Sequence, residues 1–79
     1  MGTAQSPEAI REELRVVEED LARLREAVTD LRTRLQEGWN EPTDAEERTV
    51  MIEAVEEQEA LISELETRRE QLRQRLGER

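Results

Sequence analysis

A chain of 79 residues with no His, Cys, Lys or Tyr can do chemistry only with carboxylates, guanidinium groups, hydroxyls and amides. It carries 21 Asp and Glu against 12 basic residues, every one of them Arg. The acids are spaced badly for catalysis. "EED" (Glu18 to Asp20) and "EEQE" (Glu56 to Glu59) are consecutive runs, so on a helix their side chains splay instead of converging on one point. Without thiolate or imidazole there is no ordinary nucleophile–base pair, no zinc thiolate site and no Glu-x-x-His di-metal motif. A glycine-rich phosphate loop is also missing. The reading is therefore no catalytic residue, no cofactor and no metal ligand, and the chain is expected not to be an enzyme.

Two groupings still deserve weighing. Gln58, Arg69 and Arg11 are the residue types that grip a dicarboxylate inside a helical dimer, although no fixed spacing joins them. In that respect the chain is similar to small all-α mutases, a remote alternative that lacks their usual lysine. The second grouping is acidic: Glu37, Glu41, Asp44, Glu46 and Glu47 crowd the stretch "RLQEGWNEPTDAEE". Close carboxylates can hold a Mg²⁺ that keeps its waters. The simpler account makes Asp44, Glu46 and Glu47 capping and dipole residues of a helix start.

The elements that hold these residues are legible from spacing. Apolar residues run Ile10, Leu14, Val17, Leu21, Leu24, Val28, Leu31, Leu35, alternating steps of four and three. This is a coiled-coil seam with Leu14, Leu21, Val28 and Leu35 at heptad position a and the others at d. A disordered acidic segment would not keep such a phase. "SPEA" supplies Ser6 as N-cap, Pro7 at the first helical position and Glu8 at the positive end of the dipole. Gly38 then ends the first helix.

A second seam runs Met51, Val55, Gln58, Ile62, Leu65, Arg69, Leu72, Leu76. It opens at a capping box, Thr43 with Glu46 or Asp44 with Glu47, behind Pro42, and closes at Gly77. The expected organisation is a short flexible tail over 1–6 and one hairpin domain over 7–77. Within it the first helix covers about 7–37, the turn 38–43 and the second helix about 44–76. So short a connection makes the helices antiparallel neighbours. Folding them together sets Leu31 beside Met51, Val28 beside Val55, Leu21 beside Ile62, Val17 beside Leu65 and Ile10 beside Leu72. Charge agrees with that pairing. The acidic start of the first helix (Glu8 to Asp20, net −4) meets the basic end of the second (Thr67 to Arg79, net +3). A parallel pair would set acid beside acid.

Composition narrows function by exclusion. A net charge of −9 with no basic stripe argues against direct nucleic-acid binding. No apolar run reaches the roughly 20 residues of a membrane span, and no signal-peptide core is present. "MGTAQS" fits the loose myristoylation pattern, but Ser6 already has a capping role. Twelve Arg with no Lys suits the coding bias of a GC-rich bacterial genome, and a cytoplasmic location is the expectation.

A two-helix hairpin without disulfide or metal is marginal alone, so surplus apolar residues should mark a docking face. Val50, Ala54 and Leu61 widen the second helix beyond its seam, and Val16 and Ala27 flank the first. Trp39, the single aromatic residue, sits in the turn beside them. It either plugs the open end of its own hairpin or anchors a second chain. Two seam positions are polar: Gln58 faces Leu24, and Arg69 faces Leu14 with its head reaching Glu13 or solvent. Single polar residues of this kind commonly fix register or oligomer state.

The fold class expected is all-α, an antiparallel two-helix coiled-coil hairpin that assembles as a homodimer into a four-helix bundle. The function expected is a non-catalytic protein–protein interaction module, a small self-associating adaptor or regulatory subunit. The alternative is a hairpin regulator that docks on a larger machine. In that layout the acidic tip (Glu41, Asp44, Glu46, Glu47) resembles the transcript-cleavage factors that insert a hairpin into bacterial RNA polymerase. That resemblance covers hairpin architecture and implies metal-holding tip carboxylates.

Overall fold

A computed structural model describes residues 6–37 and 45–77. They form two helices, α1 (Pro7–Glu37) and α2 (Ala45–Arg75), packed against each other as a hairpin. No strand occurs among the described residues, and none of their helices is long and apolar enough to cross a membrane.

The helix ends follow from local chemistry. Ser6 Oγ accepts from Ala9 N–H at 3.1 Å, and Ser6 C=O accepts from Ile10 N–H at 3.0 Å. One hydroxyl thus satisfies a donor that the first turn would leave open. At the other end Gly77 takes φ +76°, the left-handed conformation that glycine alone adopts cheaply, and its N–H donates to Gln74 C=O at 3.0 Å. The α-helix proper stops at Arg75, one residue before the sequence-based boundary, because Leu76 already belongs to this closing turn. The turn itself, with Gly38, Pro42 and the proposed caps Thr43 and Asp44, lies outside the described residues.

The core follows the two seams. Ile10, Val17, Leu21 and Val28 of α1 and Val55 and Leu72 of α2 are buried, and Leu21 and Leu72 are closed off completely. Ile10, Val17, Leu21 and Leu72 form one cluster, with Leu14, Ile62, Leu65 and Leu76 packed on it. All eight were named as seam residues by their spacing. The rest of the seam, including Leu24, Leu31, Leu35 and Met51, is only half-buried. A pair of helices encloses a thin core, and its edges stay wet.

Cross-helix ion pairs fix the register. With Leu14, Leu21 and Val28 at a in α1, and Val55, Ile62 and Arg69 at a in α2, the pairs fall into two rows. On the e row, Glu18 meets Arg73 at 3.7 Å, Arg25 meets Glu66 at 2.7 Å, and Arg32 meets Glu59. Each pair lies one heptad further down α1 and one heptad back along α2. On the g row, Glu13 meets Arg68. Pairing e with e and g with g is the arrangement that two antiparallel helices require. Each exposed pair contributes roughly 0–1 kcal/mol, so the ladder selects orientation more than it stabilises.

Candidate interaction face

The two rows divide the hairpin into two unlike faces. The e face is polar and internally paired. Its groove is walled by the Arg25–Glu66 and Arg32–Glu59 pairs and floored by Val28 and Ile62, with Thr29 and Ser63 alongside. The Thr29 hydroxyl donates to Arg25 C=O at 2.9 Å, so its one proton is already committed. Every charge there has its opposite beside it.

The opposite face is built from the d, g and c rows. Its groove is lined by Leu24 and Leu65 from d, Ala27, Leu61 and Asp20 from g, and Arg23 and Glu64 from c, and it encloses about 490 Å³. Asp20 and Arg23 pair with each other along α1 rather than across the groove. Toward the chain ends the Glu13–Arg68 pair spans this face. Tipward of that pair the next two g positions of α2 are Leu61 and Ala54, opposite Asp20 and Ala27 of α1. Neither α2 residue carries a charge, so no g–g ion pair closes the middle of the face.

All five described residues that the sequence nominated for contact fall on this one face: Val16 and Val50 at c, Ala27, Ala54 and Leu61 at g. Val16 is 42 % exposed, Leu61 45 % and Val50 64 %, whereas Ala27 and Ala54 are half-buried. Large apolar side chains left this open are an interaction signal when they share a face. The fourth exposed apolar residue, Ile52 at 43 %, was not nominated. It occupies an e position on the polar face, and its only sequence signal was its place next to Met51.

The polar seam residues depart in part from expectation. Arg69 does not reach Glu13. Arg68 takes that carboxylate instead, donating from Nε at 2.9 Å and from Nη2 to the same Oε2. The reason is angular: Arg68 is at g, on the flank that faces the g position of α1, whereas Arg69 at a points into the seam. Arg69 stays half-buried. Gln58 is also half-buried, but its Oε1 is fully shielded and has no hydrogen-bond partner.

Trp39, Glu41 and Asp44 lie outside the described residues. Glu46 and Glu47 are exposed in the first turn of α2, where their charge complements the helix dipole. Arg11 is exposed on α1, so it does not join Gln58 and Arg69 in an enclosed site. Among the described residues no group of three carboxylates gathers as a metal site would require. Comparison with known protein families, with characterised proteins and with solved structures finds no match.

Proposed function

We propose that this chain is a non-catalytic helix–helix docking module, a small hairpin that self-associates through its d/g/c face into a four-helix bundle. In that form it acts as an adaptor or regulatory subunit. The observation that supports the reading is the inequality of the two faces. One is laced by three cross-helix ion pairs, while the other leaves Leu61 open on a groove lined by Leu24, Leu65 and Ala27, with Val50 exposed further toward the start of α2.

Energetics favour an obligate neighbour. Two helices of 31 residues each share only six buried apolar side chains among the described residues. Ordering a residue costs about 1–2 kcal/mol of backbone entropy, which so thin a core barely offsets. Covering the second face adds apolar burial at roughly 25 cal/mol per Å² without ordering any new backbone. A twofold bundle is the simplest assembly that covers it in every copy.

Sedimentation equilibrium of the purified chain across a concentration series tests the reading. The expected result is a dimer whose helicity by circular dichroism is lost together with its association on dilution. A folded monomer at all concentrations would overturn it.

A further inference from the structure

Gln58 Oε1 is the buried side-chain oxygen left without a donor among the described residues. A buried acceptor left unmade is destabilising, and a leucine at this seam position would avoid that cost. Gln58 stands on the d row of α2, one turn from Ala54 on one side and from Leu61 on the other. Both neighbours are g residues of the unpaired face. Leu24 and Leu65, which share its d row, line the groove of that face, so for the amide to act there it must turn outward from the seam by side-chain rotation.

We propose that a second copy of this chain covers the face with α2 antiparallel to α2, and that the twofold axis passes beside Gln58. The proposal rests on the self-association reading above. An amide is its own complement, with a carbonyl acceptor and an N–H donor side by side. Two glutamines related by a twofold axis exchange two N–H···O=C bonds and leave neither oxygen orphaned. A guanidinium has donors and no acceptor, so the other polar seam residue, Arg69, cannot bond its own copy in this way.

Shape agrees with the same axis. Ala54 precedes Gln58 by four residues and Leu61 follows it by three, so antiparallel α2 helices centred here seat each Leu61 on the partner's Ala54. A large side chain then meets a small one in both copies. The arrangement also brings Glu57, at c, near the partner's Glu57. Two chains of net charge −9 repel in any case, so association tightens as salt rises.

Nitroxide labels on single cysteines test the geometry in the full chain, which has no native cysteine. Glu56→Cys and Glu70→Cys place labels on exposed positions of one row of α2, away from the docking face. At 1.5 Å of rise per residue, the antiparallel arrangement makes the label-to-label distance in the dimer tens of ångströms longer at 70 than at 56. Equal distances at the two sites would mean hairpins side by side with tips together. That result overturns the inference while self-association stands. Absence of dipolar coupling, together with a monomer in sedimentation, would defeat both. Gln58→Leu is expected to raise the thermal midpoint of the hairpin yet broaden the distance distribution of the Glu56→Cys label. A distribution as narrow as that of the Gln58 chain would overturn the role given to the amide.

Discussion

Arg68 of α2 grips Glu13 of α1 through two nitrogens on a single carboxylate oxygen, and this contact closes one end of an otherwise unpaired face. It is the least exposed of the cross-helix ion pairs, at 36 % and 31 % for its two side chains. The Arg32–Glu59 pair on the opposite face stands at 59 % and 44 %. Shielding from water strengthens a charge pair, so the two should differ in value. Double-mutant cycles to alanine are expected to give a coupling of about 0.5–1 kcal/mol for Glu13–Arg68, and a few tenths for Arg32–Glu59. Equal couplings from thermal or urea unfolding would contradict this ranking.

Leu72 and Leu21 are the two fully enclosed side chains, one from each helix. Truncation of either to alanine removes the filling of a core that has few other members. A loss of about 2–5 kcal/mol is expected, enough to abolish much of the helical signal in circular dichroism at room temperature. Leu35→Ala, at a half-buried seam position near the tip, should cost less.

The N-terminal cap gives a local prediction. Ser6→Ala removes the acceptor for Ala9 N–H and should cost about 1 kcal/mol. Hydrogen exchange should quicken at Ala9 and Ile10 and stay unchanged at Leu21. Uniform quickening along α1 would mean that the cap is not a local device.

One carboxylate has a pH signature. A hydrogen bond from Arg15, reinforced by that guanidinium's charge, holds Glu12 below the usual range for a glutamate. Its folded pKa is therefore lower than its unfolded pKa. The stabilisation from this pair is present above the unfolded value and is lost as pH falls through the folded one. Titration of the Glu12 carboxyl by NMR should show a midpoint below the usual glutamate range, and Arg15→Gln should return it toward that range. The contribution to stability is small, because both side chains are more than half exposed.

The seams were fully legible, because alternating steps of four and three allow only one helical face to be apolar. The five residues nominated for contact were legible individually as apolar positions beside a seam. That they share one face was not, since it depends on which flank of α1 lies beside which flank of α2. Antiparallel packing sets g against g, and the Glu13–Arg68 pair records it. The same rule explains why Arg68, and not Arg69, holds Glu13. The orphaned Gln58 oxygen was beyond sequence reading, because shielding of a single atom depends on how neighbouring side chains close over it. The acidic tip and Trp39 lie largely outside the described residues, so their proposed roles stand as sequence expectations.

Leu61 and Ile52 give the most direct test of the docking face. They are exposed almost equally, at 45 % and 43 %, but on opposite faces of the hairpin. Exposure alone would make them equivalent. Sedimentation equilibrium of Leu61→Glu and Ile52→Glu beside the unsubstituted chain separates the two. The account predicts that Leu61→Glu dissociates the assembly and Ile52→Glu leaves it intact. An assembly that survives Leu61→Glu, or that dissolves with Ile52→Glu, would contradict it.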